Sequence, residues 1–283
     1  MKLILFLCAC ALVAAEDRSS RLAGGVLATL GEYPSAVFIR SQGTPNQPFC
    51  VATLINLILN IIIFETSQVL TSAQCVLNNE NQLINPFWYT VTAGDLDVVA
   101  PTTSRIERKV SRIFVHPNFN PTTRNNDLAV LRVNEPYPEF HNTIEPVIRT
   151  NRIFATATVC RFAAWGAATA TANAAIRPAL RVIDSPTILT ATCNAANVHA
   201  NRVLGNHICA GSIVATGNSP CTGNIGSGLY CNNELTGVLS FGTSCGAANN
   251  PGVYINVRLY QDWINAQLLR TDNPQPGWMS TPN

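Results

Sequence analysis

The sequence is poor in charge and has no strongly basic segment. Charged residues make up 12% of its 283 residues, and the formal net charge is +2. No cluster of lysine and arginine forms a stripe that could follow a nucleic-acid backbone, so we expect no nucleic-acid partner. The 47% share of hydrophobic residues argues for a compact chain with a core rather than a disordered one.

Hydrophobic runs long enough to span a bilayer are also missing from the N-terminal region. The apolar run over residues 3–13 follows Lys2 and is followed by Ala14 and Ala15. This order is typical of a secretory signal, and the run is too short for a transmembrane span. A buried N-terminal helix is the alternative, but the abruptly polar residues 16–21 disfavour it. We predict a signal peptide at 1–15, a pro-segment at 16–21, no transmembrane span, and a secreted, extracellular protein.

The cysteines fit this compartment. Of the ten, Cys8 and Cys10 would leave with the signal peptide. The eight that remain are an even number, which predicts disulfides formed in an oxidising compartment, although eight cysteines allow 105 pairings. No CxxC pair with a nearby histidine supplies a tetrahedral ligand set, so we expect no metal site and no cofactor.

Several motifs resemble those of the chymotrypsin-like (trypsin-type) serine proteases. They are TSAQC at 71–75 against the family's TAAHC, NNDLAVL at 125–131 against NNDIALL, CTGNIGSG at 221–228 against CxGDSGGP, and YQDWI at 260–264 against YxDWI. Together with the cysteine order, the resemblance covers residues 21–270.

The resemblance implies an all-β fold of two antiparallel Greek-key β-barrels with a C-terminal helix. Short apolar runs between Gly, Pro and Asn clusters over residues 36–131 independently indicate short strands. The implied boundaries are a peptidase domain at 22–270, barrel 1 at about 22–143, barrel 2 at about 144–257, the helix at about 258–270, and a loose tail at 271–283.

The resemblance also selects one disulfide pairing among the many that spacing allows. The implied pairs are Cys50 with Cys75, Cys160 with Cys231, Cys193 with Cys209, and Cys221 with Cys245.

Two positions of the catalytic triad depart from the family pattern. Gln74 stands where the family has its histidine base, and Ile225 where it has its serine nucleophile. An amide does not titrate near neutral pH, and isoleucine has no oxygen for attack. Asp127 is retained, but without a histidine to orient we expect it to accept hydrogen bonds from Gln74 instead. We therefore predict that no triad position is catalytically functional.

The predicted activation site is RLAGG at 21–25, with cleavage between Arg21 and Leu22. In the family, the new N-terminus pairs with the acidic residue before the nucleophile, and here that residue is Asn224. A buried ammonium without its counter-charge is destabilised, so cleavage is not expected to order the loop. The alternative is an exposed Arg21 that nothing cuts.

The resemblance places remnants of the oxyanion hole and of the primary specificity pocket. Gly223 corresponds to an oxyanion-hole residue and Ser219 to the pocket floor. The wall positions are Ser240, Phe241, Gly242 and Gly252. An open pocket with this neutral floor would favour an apolar or aromatic side chain over lysine or arginine. A collapsed pocket filled by Ile225 is the alternative.

Residues 57–65 form an Ile-rich insertion that the family pattern does not contain. An extra hairpin, an artefact of the gene sequence, and an exposed patch that touches a partner or a membrane are three open interpretations.

The leading function is that of an inactive serine protease homologue that binds or regulates within an extracellular protease cascade. Its expected partner is an extracellular protein: a protease, an inhibitor or another cascade component. The alternatives are an active serine endopeptidase, which needs a histidine at 74 and a serine at 225, and a secreted relic without a specific ligand.

Overall fold

The protein is described from a computed structural model. The described residues are 25–42, 50–56, 67–138, 141–167, 178–215, 219–221 and 223–270, together with the backbone of 58–59 and 62–63. The predicted signal peptide, pro-segment, Arg21, Leu22 and C-terminal tail lie outside them.

Short strands dominate the described chain. They are β1 (Val26–Leu27), β2 (Ala36–Ser41), β3 (Cys50–Ile55), β4 (Ile58–Leu59), β5 (Ile62–Ile63), β6 (Gln68–Thr71), β7 (Tyr89–Ala93), β8 (Ile106–Val115), β9 (Ala129–Val133), β10 (Val159–Ala164), β11 (Arg181–Ile188), β12 (His207–Ala210), β13 (Gly228–Cys231), β14 (Glu234–Phe241) and β15 (Gly252–Asn256). The helices are α1 (Thr190–Cys193) and α2 (Gln261–Leu268), and 3-10 turns span Ala73–Val76, Pro86–Trp88 and Val257–Tyr260.

The first barrel closes in the order β2-β3-β6-β9-β8-β7, with every neighbouring pair antiparallel. In β8, Val110 is buried while Lys109 is exposed, as the period of two in a half-buried strand requires. The apolar side chains that point inward fill one continuous core.

The second barrel has the order β11-β10-β13-β14-β15-β12, and pairing between β12 and β11 closes it. β1 joins this sheet, since Val26 lies opposite Val182 of β11, although β1 precedes the first barrel in sequence. Two closed antiparallel barrels and one short C-terminal helix confirm the predicted all-β architecture.

The four disulfides have the pairing that the resemblance implied. Cys50 with Cys75 ties β3 to the turn that carries Gln74. Cys221 with Cys245 joins the loop before β13 to the loop after β14. Two of the cross-links therefore brace the segments that carry the candidate site.

The Ile-rich insertion contains a small antiparallel pair. Ile58 lies opposite Ile63 and Leu59 opposite Ile62, which makes β4 and β5 a two-stranded sheet of their own. This backbone pairing agrees with the hairpin interpretation of the insertion.

The C-terminal helix begins later than the sequence predicted, because residues 257–260 form a 3-10 turn before α2. Ile264 and Leu268 of α2 are buried against the core of the second barrel, as their spacing of four residues favours. Among the described residues, no helix combines the length and apolar character that a membrane crossing demands.

Candidate functional site

Gln74 and Asp127 meet at the end of the first barrel. Gln74 lies in the 3-10 turn that follows β6, and Asp127 lies just before β9, the strand that pairs with β6. The backbone N–H of Gln74 donates to Asp127 Oδ1 at 3.1 Å, and Gln74 Nε2 donates to Asp127 Oδ2 at 2.5 Å. The predicted hydrogen bond between the two residues is therefore present, and it is accompanied by a second one from the backbone.

The Gln74 amide is held by further acceptors. Its Nε2 lies 3.0 Å from Ser72 Oγ and 2.9 Å from the carbonyl oxygen of Ser240. Because an amide nitrogen carries only two hydrogens, three acceptors within this range use its donor capacity fully. Since Ser240 belongs to β14, the amide also links the first barrel to the second.

Asp127 is fully buried and receives a further hydrogen bond, from Ser240 Oγ to Oδ2 at 2.6 Å. Burial raises the pKa of Asp127 above its usual value, because a charged carboxylate loses its hydration. Hydrogen bonds from Ser240, Ser72 and the Gln74 backbone, together with the charge of Arg124, act in the opposite direction. Ser72 and the Ser240 hydroxyl are contributors that the motif comparison did not identify.

Ile225 places a hydrocarbon side chain between the barrels. The side chain is partly buried and packs against the cores of both. Its carbonyl oxygen accepts from Val51 N at 2.9 Å, which seats the loop on the first barrel. Gly226 has a φ of +87°, and a Cβ there would clash with Val51 O and Thr71 Oγ, so only glycine fits this close approach.

Two backbone donors of this loop remain available. In the part of the chain that the structure describes, the N–H groups of Gly223 and Ile225 donate to no protein acceptor, whereas the N–H of Gly226 donates to Leu239 O. A pair of free N–H groups so close in sequence is the type of group that forms an oxyanion hole.

Asn224 is buried with only part of its amide satisfied. Its Oδ1 accepts from Cys221 N at 2.6 Å, whereas its Nδ2 has no hydrogen-bond partner among the residues that the structure describes. The side chain packs against Gly166, where a Cβ would clash with it. The adjacent Trp165 is fully buried.

The pocket positions lie together, but the floor residue has little contact with solvent. Ser219 is 2% exposed, and its Oγ accepts from Gly246 N at 2.5 Å. Gly242 has a φ of +87°, and a Cβ on Gly242 would clash with the carbonyl oxygen of Pro251. The two wall segments are therefore in contact at this point.

The other wall residues pack against aromatic groups. A Cβ on Gly252 would lie within 2.8 Å of the Tyr254 ring. Phe241 has the rings of His199 and His207 edge-on, with centroid distances of 5.4 and 5.6 Å. His199 Nε2 lies 2.9 Å from Pro251 O and His207 Nε2 lies 3.3 Å from Arg124 O, so both imidazoles are engaged with backbone carbonyls.

Substitute catalytic groups do not come together among the described residues. Ser227 Oγ is buried without a hydrogen-bond partner, and no histidine contacts it. His116 packs against Tyr260 and Trp263, and His141 Nδ1 lies 3.0 Å from Thr143 Oγ1. The described chain also contains no cluster of three or more metal-binding side chains.

Comparisons with known proteins agree with this architecture. The Trypsin family profile matches residues 22–264. The chain is 25% identical to trypsin of Sus scrofa over 252 residues, which cover 89% of this chain and 97% of trypsin. It is 30% identical to serine protease 56 of Homo sapiens over 265 residues, which cover 90% of this chain and 40% of that protein. It is 29% identical to ovochymase of Halocynthia roretzi over 266 residues, which cover 89% of this chain and 15% of that protein. It thus spans almost all of trypsin but less than half of the two larger relatives. On the strength of its two barrels and of this match over most of its length, the chain belongs to the trypsin family.

Proposed function

We propose that this protein is a secreted, catalytically inactive member of the trypsin family that acts by binding, as a regulatory component of an extracellular protease cascade. The observation that carries the proposal is the hydrogen-bonded pairing of Gln74 with Asp127, together with the side chain of Ile225 packed against the cores of both barrels. An amide occupies the position of the base, and a hydrocarbon side chain occupies the position of the nucleophile.

The chemistry of peptide hydrolysis fails at both positions. A serine protease needs an oxygen that attacks the carbonyl carbon, and a base that takes the proton and returns it to the leaving amine. The Gln74 amide does neither, because it is neutral and donates both hydrogens to fixed acceptors. In subtilisin, loss of the serine or the histidine alone lowers kcat by about 2 × 10⁶.

No other residue in the described part of the chain is placed to serve as a nucleophile in catalysis. Ser227 is buried and has no base beside it, and Ser219 Oγ is held by Gly246 N. All eight cysteines after residue 15 are in disulfides, so none offers a thiolate. These observations argue against the alternative of an active endopeptidase.

The retained scaffold favours a binding role over a relic. Hydrogen bonds from the Gln74 amide and the Ser240 hydroxyl tie the two barrels together, and the four disulfides remain. A trypsin-family fold that keeps its disulfides and its inter-barrel hydrogen bonds but lacks the reacting groups could serve as a decoy, adaptor or cofactor for active proteases, by analogy at the level of the fold. The predicted signal peptide and the disulfides support a role outside the cell.

The test is labelling and hydrolysis by the natural protein. The chain is treated with an arginine-specific cysteine protease, which fluorophosphonates do not label, and uncut protein runs beside it. We expect neither sample to react with a fluorophosphonate or to turn over a broad peptide library, whereas pig trypsin does both. Labelling of any residue of this chain would refute inactivity.

Binding separates a regulator from a relic. Surface plasmon resonance against a panel of active and inhibitor-blocked extracellular trypsin-family proteases should give saturable binding to at least one partner. Saturable binding to none would favour the relic.

A further inference from the structure

Two adjoining cavities form one groove on the second barrel. Their volumes are about 210 and 280 Å³, and Thr156, Thr187, Ile188 and Leu189 line both. Because Thr187 and Ile188 end β11, we call this the β11 groove. None of Gln74, Asp127 and Ile225 lines it, so it is distinct from the triad-equivalent site.

One end of the β11 groove carries positive charge. Arg152 and Arg258 both line the smaller cavity. Arg152 Nη2 lies 3.4 Å from Glu234 Oε1, so its charge is partly compensated. The side chain of Arg258 forms no ion pair or hydrogen bond with any described residue, and neither does the side-chain amide of Asn256 in the same cavity. This end therefore presents unused donors and a net positive charge.

The other end of the β11 groove is apolar and accessible. Leu189 is 56% exposed and Ile213 37% exposed, and both line the larger cavity beside Ile188. Ile188 packs against the small core around Cys193 and Cys209, which holds this wall in place. A fixed aliphatic surface thus adjoins an uncompensated guanidinium group.

We propose that the β11 groove binds an acidic segment of a partner protein. A carboxylate of the segment pairs with Arg258 and Asn256, and a neighbouring aliphatic side chain lies against Leu189 and Ile213. The guanidinium group presents a planar fork of donors that matches a carboxylate, and such charge-assisted bonds are the stronger ones. Each cavity is smaller than the roughly 300–1,000 Å³ of drug-sized ligand pockets, and a size of that order suits one side chain.

The β11 groove is a surface through which the proposed binding role could operate, but the inference does not depend on the protein being catalytically inactive. A protease with a working triad could use the same groove, because the groove shares no residue with that site. A negative result here would leave the labelling experiment and its conclusion unchanged.

The first test is selection from a random heptapeptide phage library on the full chain. We expect the natural protein to enrich sequences in which Asp or Glu adjoins Leu, Ile or Val, and Arg258→Gln to lose this enrichment. Arg258→Gln breaks no ion pair or side-chain hydrogen bond with the described residues, so the fold should survive. Arg161→Gln is the matched control: Arg161 is also on the second barrel and pairs with Asp184 at 3.5 Å at an exposed site, where an ion pair contributes little stability.

The second test measures the affinity of an enriched peptide by fluorescence anisotropy. Arg258→Gln should weaken binding at least about tenfold, because a charge-assisted hydrogen bond is lost. Leu189→Ser should weaken it less, Arg161→Gln should leave it unchanged, and added salt should weaken the natural protein's binding. Enrichment without an acidic residue, or equal affinity for the natural protein and Arg258→Gln, would overturn the proposal.

Discussion

The Asp127 region and the Asn224 region differ in how completely their buried polar atoms are satisfied. Around Asp127, the Gln74 amide, the Gln74 backbone and the Ser240 hydroxyl all donate to one carboxylate. Around Asn224, Oδ1 accepts a hydrogen bond, while Asn224 Nδ2 and the nearby Ser227 Oγ have no hydrogen-bond partner within the described part of the chain. Both residues are fully buried, so exposure does not explain the difference.

We propose that Gln74 and Asn224 replace a histidine and an aspartate of the family, and the difference indicates that the fold accommodates them differently. The Gln74 amide donates to Asp127 where a histidine ring would donate, so the buried carboxylate keeps its hydrogen-bond donors. Asparagine keeps one acceptor of the family's aspartate but adds a donor in place of the charge. A buried donor without an acceptor lowers the free energy of unfolding by about 1–3 kcal/mol, and we expect Asn224 Nδ2 to destabilise its loop by about this amount.

The largest effect should come from removing the shared acceptor of the satisfied region. Asp127→Ala removes the acceptor of the Gln74 backbone N–H and of the Ser240 hydroxyl, whereas Gln74 Nε2 keeps Ser72 Oγ and the Ser240 carbonyl oxygen. With two buried donors left without an acceptor, the unfolding free energy should fall by about 3 kcal/mol or more. Chemical denaturation of the natural protein and the variant measures this change. A loss under about 1 kcal/mol would mean that the network contributes little.

An effect of similar size is expected at the Asn224 region. Asn224→Asp places an unpaired negative charge in the buried loop, which should destabilise the uncut chain by about 3–5 kcal/mol. Cleavage after Arg21 should restore part of this loss, because the new ammonium can pair with the carboxylate. The melting temperature of the natural protein should not change on cleavage. A clear increase for the natural protein would show that Asn224 accepts the new N-terminus.

A smaller effect is expected for Gln74→Ala. Asp127 keeps its bonds from the Gln74 backbone and from Ser240, so the expected loss is about 1–2 kcal/mol. Gln74→His is the matched variant, because its ring can donate to the same carboxylate, and it should lose less than Gln74→Ala in denaturant unfolding. Equal losses in the two variants would mean that the donor to Asp127 is unimportant.

The smallest effect concerns pH. Burial raises the pKa of Asp127 in the folded state, so the folded chain binds more protons than the unfolded chain above the unfolded pKa of about 4. The unfolding free energy of the natural protein should therefore decline, relative to that of Asp127→Asn, as pH rises from about 4 through the folded pKa. Denaturant titrations across this range compare them, and a relative gain for the natural protein would mean that the hydrogen bonds outweigh burial.

The resemblance to the chymotrypsin-like proteases implied the two barrels and the disulfide pairing, and the motifs at 71–75 and 125–131 led us to expect the contact of Gln74 with Asp127. The sequence did not predict the Ser240 hydroxyl on Asp127 or the packing of Asn224 against Gly166. These contacts join residues far apart in the chain, and serine and glycine carry no signal of their own there. The pairing of β1 with β11 was not predicted either, because it joins the start of the domain to a strand of the second barrel.

Restoration of the reacting groups is the most direct test of the central claim. The natural protein, Gln74→His/Asn224→Asp/Ile225→Ser, and the control Gln74→His/Asn224→Asp/Ile225→Ala are each cleaved after Arg21 and exposed to a fluorophosphonate. We predict labelling of the restored variant alone, at position 225. The fold keeps Asp127 in place, and the N–H groups of Gly223 and residue 225 donate to no acceptor among the described residues. Labelling of the natural protein would contradict the account.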